Sequence, residues 1–394
     1  MKIAIVSGDD FVGDDPGRLC AALAARGHDV TAYVRQTCRH PSNKSTDRAC
    51  RTVAIRVGPA AAPSDFDVLP FVGEWADVLE RLWSSEQPDV VHAYGWLGGL
   101  AAQLAARRRD LPTVQTFHGL ATKSHSQSAG SQRKVAERQR IEPLLARNAT
   151  WVTVESSADV EALARLRRGR ARVSLLTSGI DVEQYTPVGP VVDRTDRHRV
   201  LCLAPNPLPG NGFDITLGAM PKVPGAELVI AETGITDRNH DTARDGLKRL
   251  AAELGVADRV RFLGTVTGDE LPMLVRSADV VACTPRRPPH ATSVLAAMAS
   301  GVAVIALPVG VLSDVVVDSV TGLILSPGNP NELAAALRSL PAQRFQCQSM
   351  GAAGRSRVLS RFTWDRIALD ALNIHRQLSS QHSPMQSRQP TVAR

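Results

Sequence analysis

Long apolar runs are missing from this chain. No stretch approaches about 18 continuous apolar residues, which excludes a spanning helix. Aromatic residues make up only 4%, so Leu, Val and Ala must build the cores. The six cysteines (Cys20, Cys38, Cys50, Cys202, Cys283, Cys347) are widely scattered and include no Cys-x-x-Cys pair. That spacing supports neither a zinc finger nor a disulfide framework, and the expected compartment is a reducing cytoplasm. The chain also lacks a Gly-x-Gly-x-x-Gly turn and a phosphate-loop lysine. At the start, Met1–Val6 runs into Asp9 and Asp10 too soon for a signal-peptide core and reads as a first strand. The net charge of +7 comes with Arg clusters such as Arg107–Arg109 but with no aromatic-interleaved basic stripe. Nucleic acid is therefore not an expected partner, and membrane contact is peripheral at most.

What is present is a twice-repeated alternation. A length of 394 residues suits two domains of about 150–200 residues each. Short continuous apolar runs alternate with helical patterns: Lys2–Val6, Asp29–Val34, Asp89–His92, Thr113–Thr116, Thr150–Val154 and Arg172–Leu176. The pattern restarts at Arg199–Leu203 and continues through Ala226–Ile230, Val260–Leu263, Val280–Cys283 and Ala303–Ala306. Continuous apolar strands with helices between them predict parallel sheets buried on both faces. The fold class read from this pattern is α/β, with two tandem doubly wound, Rossmann-like domains facing a central cleft. The boundaries are a first domain over 1–184, a polar, proline-bearing linker over 185–198, and a second domain over 199–360. A closing helix follows over 361–378, then a disordered tail over 379–394. Ligands of such sheets sit at the carboxyl ends of the strands, which makes the interdomain cleft the expected site.

Three segments of the first half carry a family likeness: Asp89–Trp96 (DVVHAYGW), Gln115–Leu120 (QTFHGL) and Thr177–Asp181 (TSGID). The second half adds Ala297–Gly301 (AMASG), Val317–Leu323 (VDSVTGL) and Ser326–Pro330 (SPGNP). In order and spacing, over about residues 1–380, the chain resembles retaining GT-B glycosyltransferases of the sucrose-phosphate-synthase-like and glycogen-synthase-like class. The resemblance implies that a nucleotide-diphosphate sugar binds the second domain and an acceptor, either a small molecule or lipid-linked, binds the first. A hexose-type sugar then passes with retained configuration. It implies no cofactor beyond that co-substrate, and no metal. His118, after a strand end, falls where the family places a histidine near the donor sugar. The acceptor side is expected at Gly13, Tyr94, Trp96 and Gly119. The donor side is expected at Asn211, at Gly264, Thr265 and Val266 around the base, and at Ala291, Thr292, Ser293 and Val294, whose amides open a helix. Thr292 and Ser293 also suit a plain helix-capping role. Arg286 and Arg287 lie just before that loop, where they could supply cations.

The likeness breaks at the charges. The family's Arg and Lys after the first strand of the second domain fall near Pro205 and Asn211, and its two Glu fall on Pro288 and Ala296. No Glu occurs between Glu270 and Glu332, so no shift of register restores the pair. Each lost charge-assisted contact to a diphosphate would cost roughly 1.5–3 kcal/mol of transition-state stabilisation. The loop between Gly8 and Gly17 holds four Asp, which would repel a diphosphate unless a metal intervened; helix capping explains Asp14 or Asp15 without one. His290 stands at the family's Phe position without an assigned role. Two expectations follow: a transferase with altered donor contacts, or a catalytically impaired homologue that acts as a binding protein or as the partner of another enzyme.

Overall fold

The computed structural model describes residues 1–8, 15–35, 50–59, 67–120, 129–169, 171–234 and 240–382. The first sheet holds seven parallel strands. In chain order its elements are β1 (Lys2–Ser7), α1 (Asp15–Ala25), β2 (Asp29–Arg35), β3 (Arg51–Ile55), α2 (Val72–Ser85), β4 (Val90–Tyr94), α3 (Trp96–Arg108), β5 (Thr113–Phe117), α4 (Ala129–Asn148), β6 (Trp151–Val154), α5 (Ser157–Leu166) and β7 (Val173–Leu175). The spatial order β3-β2-β1-β4-β5-β6-β7 reverses direction between β1 and β4. Fully buried strands such as VVHAY (β4) and TVQTF (β5) are what a sheet covered on both faces requires.

The second sheet has six parallel strands in the order β10-β9-β8-β11-β12-β13. Its elements are β8 (His198–Ala204), α6 (Phe213–Ala219), β9 (Ala226–Glu232), α7 (Asp241–Glu253), β10 (Val260–Thr265), α8 (Glu270–Arg276), β11 (Val280–Cys283), α9 (Thr292–Ala299), β12 (Ala303–Ala306), α10 (Leu312–Val315), β13 (Gly322–Ile324), α11 (Pro330–Ala342), α12 (Arg344–Arg361) and α13 (Trp364–His382). Here the order reverses between β8 and β11, so each sheet opens a crevice at its own switch point. A buried ion pair, Arg199 Nε to Glu227 Oε1 at 2.6 Å, ties β8 to β9 inside this domain.

The structure adds one placement and departs from two sequence expectations. The closing helix α13, whose destination the sequence left open, packs on the first domain: Ile367, Leu372, Ile374 and Leu378 join the core formed by Ile3, Ile5, Leu19 and Leu23. Each such burial is worth about 1.5–3 kcal/mol of transfer free energy, which explains why the chain crosses back. That helix runs to His382, four residues into the segment expected to be disordered; residues 383–394 lie outside the described ones. Cys20 and Cys50 form a disulfide with Cα atoms 5.8 Å apart, a pairing that scattered sequence positions did not reveal and one uncommon in a reducing compartment. Of the remaining cysteines, Cys202, Cys283 and Cys347 are free, and Cys38 lies outside the described residues. No described helix is long and apolar enough to cross a membrane.

Candidate active site in the interdomain cleft

Four side chains meet where the two sheets face each other. Asp15 opens α1, His118 follows β5, Glu155 follows β6, and His290 lies in the loop from β11 to α9. Each offers a ligand-type atom within 4.8 Å of the others. His118 Nδ1 is 3.0 Å from Glu155 Oε1. His290 Nε2 is 3.3 Å from Asp15 Oδ2 and 3.8 Å from the same Glu155 oxygen. The two imidazoles stack across the domain boundary at 5.3 Å and 22°, and Tyr94 stacks on His118 from the other side at 6.0 Å.

Local structure fixes each group. Glu155 is followed by Ser156, whose Oγ caps α5 by accepting from the Asp159 amide and donates in turn to the Asp159 carboxylate. The Glu155 backbone is thus anchored at the strand end. His118 is followed by Gly119, which turns the chain at φ +66°, and the Gly119 carbonyl accepts from Arg138 of α4. Ser178 sits on the segment Thr177–Ile180, which is pinned to the junction of α12 and α13 by Ile180 N donating to Phe362 O at 2.8 Å. Its hydroxyl touches Asp15 Oδ2, lies 2.5 Å from Glu155 Oε1 and is 3.1 Å from His290 Nε2. His290 Nδ1 faces Thr292 Oγ1 at 2.5 Å.

Charge is balanced unevenly here. Burial disfavours charge on Glu155, but His118 and His290 outweigh it and hold its carboxyl at about 2. Burial likewise disfavours charge on His290, yet Glu155 and Asp15 raise its ring to about 9. At neutral pH the cluster holds a proton on His290 between two carboxylates, shielded from water.

His118 and Gly119 lie in the cleft. Tyr94 and Trp96 do not present their side chains to an acceptor: they are 4% and 2% exposed and belong to the first-domain core. Gly13 lies outside the described residues. In the second domain, Asn211 Nδ2 is committed to the Asn206 carbonyl and side-chain oxygens at 2.9 and 2.7 Å. Arg286 is clamped by both Asp214 oxygens at 2.6 Å and by the Pro209 carbonyl. Arg287 lies over Gly210, the residue whose carbonyl accepts from both the Arg286 and Arg287 amides. Gly264 takes φ +67° beside a register shift in β10, Thr265 ends that strand, and Val266 is a core residue whose amide donates to Glu232 O. At α9 the capping position is held by Ala291, with Thr292, Ser293 and Val294 inside the first turn; the capping role read for Thr292 and Ser293 is therefore not filled, and Thr292 serves His290 instead.

Pro288 occupies the place expected for the family's first Glu. Its Cβ is 3.7 Å from the point where a Cβ on Gly119 would stand, so that position does face the His118 turn. Ala296, the place of the second Glu, is buried in α9. Asp15, Glu155 and Ser178 were not read from the sequence as site residues. The signal for Glu155 was available: like His118, it directly follows a buried strand.

Comparison with known proteins agrees with this architecture. The model of the glycosyl transferase 4-like domain matches residues 13–179, and that of glycosyl transferases group 1 matches residues 198–357. The D-inositol 3-phosphate glycosyltransferase of Salinispora tropica is 31% identical over 316 residues, 75% of this chain and 65% of that protein. The chain thus spans just under two thirds of that relative's length. Sucrose-phosphate synthase from Thermosynechococcus elongatus superimposes with a TM-score of 0.84 at 24% identity, covering 96% of this chain and 99% of the other. Anabaena HepE, solved with UDP and glucose, gives 0.74 at 18%, covering 96% and 100%. With a matching domain model on each half, a cleft between two parallel sheets and these neighbours, the chain belongs to the GT-B glycosyltransferases.

Proposed function

We propose that the protein transfers a hexose-type sugar from a nucleotide-diphosphate sugar to a hydroxyl of a small-molecule or lipid-linked acceptor, with retention. In that reaction the bond from the anomeric carbon to the diphosphate breaks. A bond to the acceptor oxygen forms on the same face, and the hydroxyl proton leaves with the diphosphate. The observation that carries this reading is the interdomain cleft, in which the turn after β5 that bears His118 brings Gly119 against Pro288 of the second domain. In this reading His118 is assigned to the sugar, the amides of Ala291–Val294 at the start of α9 to phosphate, and the backbone of Gly264–Val266 to the base. The relatives' names fit a nucleotide sugar and a phosphorylated polyol acceptor.

A second reading, a catalytically impaired homologue that binds a glycan or a partner enzyme, is favoured by one specific observation. The four charged donor positions are Pro205, Asn211, Pro288 and Ala296, and Arg286, the nearby substitute, already neutralises Asp214. Calorimetry with uridine and guanosine diphosphate sugars, run with a donor-hydrolysis assay, separates the two. Micromolar binding with turnover supports the transferase. Absence of nucleotide binding overturns it in favour of the second reading, and binding without turnover does the same.

A further inference from the structure

We propose that Glu155 and Ser157, at the turn from β6 into α5, form the first-domain half of a two-point clasp that holds the domains together with no ligand in the cleft. Glu155, with Asp15 and Ser178, grips His290, and Ser157 grips Asp314 of α10. This goes beyond glycosyl transfer and stands under either reading of the cleft. Domains joined by a linker move relative to one another by default unless a large apolar interface holds them. Here charge and hydrogen bonds cross the boundary at two points.

The inner point is buried. A doubly protonated imidazole needs an acceptor at each nitrogen. His290 has Thr292 Oγ1 at Nδ1, 2.5 Å away in its own domain. Its Nε2 faces Ser178 Oγ at 3.1 Å, Asp15 Oδ2 at 3.3 Å and Glu155 Oε1 at 3.8 Å, all from the first domain. The Ser178 hydroxyl donates toward the carboxylates, so its oxygen can accept from the ring. Among the described residues, the groups facing His290 are Asp15 from α1, His118 after β5, Glu155 after β6, Ser178, and Thr292 from its own side. The carboxylates that favour its proton belong to the opposite domain. By linkage, the proton therefore favours the joined state.

The outer point is exposed. Ser157 is the first residue of α5, so its amide has no acceptor inside the helix. Asp314 Oδ2 accepts from that amide at 2.9 Å, and Oδ1 accepts from the Ser157 hydroxyl at 2.6 Å. A second-domain carboxylate thereby caps a first-domain helix, where the helix dipole favours negative charge. The receiving side is braced: Arg357 of α12 donates to the Asp314 and Val315 carbonyls at 2.7 and 2.8 Å. One residue, Ser156, separates Glu155 from Ser157, so opening at one point moves the other.

The test uses the full chain without ligand and reads shape and amide exchange rather than turnover. At neutral pH the wild type should match the solution scattering of the closed arrangement, and its Ser157 amide should be protected from hydrogen exchange. His290→Gln does not touch Ser157, yet it should enlarge the radius of gyration and speed exchange at that amide about tenfold or more. Asp15→Asn should act in the same direction, and it decides alone if circular dichroism shows His290→Gln misfolded. His198→Gln, at an exposed histidine within the second domain, should behave as the wild type. The wild type should also expand as the pH rises from about 8 to about 10, through the His290 value of about 9, and His290→Gln should show no such step. The proposal is overturned if the ligand-free wild type is already open at neutral pH, or if the alkaline expansion is absent. It is equally overturned if the substitutions leave the radius and the Ser157 exchange rate unchanged, in which case other contacts hold the domains.

Discussion

At the ends of β5 and β6 the first domain presents His118 and Glu155. At the ends of β8 and β11 the second domain presents Pro205 and the Thr284–Arg287 turn, where Arg286 is already neutralised by Asp214. One wall of the cleft has kept dense, buried polar chemistry. The other is shaped by backbone, and its arginine Arg286 is already held by Asp214. The shape is held by backbone: Arg286 and Arg287 amides donate to Gly210 O, and Thr284 Oγ1 donates to Gly212 O at 2.8 Å. On the proposed reading, in which this second wall receives the donor, the contrast implies that binding energy is drawn mainly from the first domain, from His290 and from backbone amides.

The largest effect that would sharpen this contrast comes from two glycines. Gly212 takes φ +74°, and a Cβ there would stand 1.7 Å from Thr284 O, a backbone atom that cannot step aside. Gly119 takes φ +66°, but its nearest neighbour would be Pro288 Cβ at 3.7 Å. Gly212→Ala should cost about 3 kcal/mol or more, or prevent the second domain from folding. Gly119→Ala should cost only the left-handed strain, about 1–2 kcal/mol. Urea unfolding of both variants checks this. Equal costs would show that the donor loops are no more rigid than the acceptor turn.

How much of this was legible in the sequence depends on what each residue's role rests on. Continuous apolar runs such as Val90–Tyr94 can be buried only inside a covered sheet, so both sheets and the switch-point cleft could be read. His118 could be read because a motif and a strand end coincide there. Asp15, Glu155, Ser178 and His290 could not be read as one cluster. They are separated by 275 residues between first and last, and only the closure of the two domains brings them together. The destination of α13 was hidden for the same reason: its apolar stripe shows that it packs, but not on which domain. The Cys20–Cys50 bond depends on how α1 lies beside the segment before β3, which cysteine spacing does not encode.

The comparison extends into the cores and can be broken there by acid. The second domain buries a charge-balanced Arg199–Glu227 pair, whereas the first buries His92 against His375 of α13, Nδ1 to Nε2 at 3.1 Å, with His92 Nε2 on Thr116 at 2.7 Å. Burial lowers both rings: His375 to about 3, and His92 well below its ordinary value with help from His375. A ring whose folded value lies below its unfolded value near 6.5 takes up protons more readily on unfolding. Its stabilisation is whole above pH 6.5 and is lost as pH falls through that value toward 3. Between pH 7 and 5 this amounts to about 2 kcal/mol for His375. Tryptophan fluorescence follows it selectively, because Trp75, Trp83, Trp96 and Trp151 lie in the first domain and Trp364 in α13. The expected outcome is acid loosening of the first domain before the second, with a pH 7-to-5 loss that shrinks by about 2 kcal/mol in His375→Gln. An unchanged loss in that variant would mean that the pair does not set acid sensitivity.

The smallest effect tests the donor wall directly. Arg286 is bound bidentately by Asp214, a pair nearly half exposed at the guanidinium, and the Asp214 carboxylate raises the arginine above its usual value, against the effect of burial. A guanidinium whose fork is filled by a carboxylate has little field left for a diphosphate. Arg286→Ala should therefore change nucleotide-sugar affinity by less than about threefold, within the range of an exposed ion pair. Asp214→Ala gives the opposite sign: it frees the fork and should tighten binding modestly. Calorimetry on the two variants reads both changes against the wild type. A tenfold loss in Arg286→Ala would mean that Asp214 yields the arginine to the incoming phosphate, and the donor wall would then carry its own cation after all. The contrast between the two walls would shrink to a difference in when the charge becomes available: preset in the first domain, released on binding in the second.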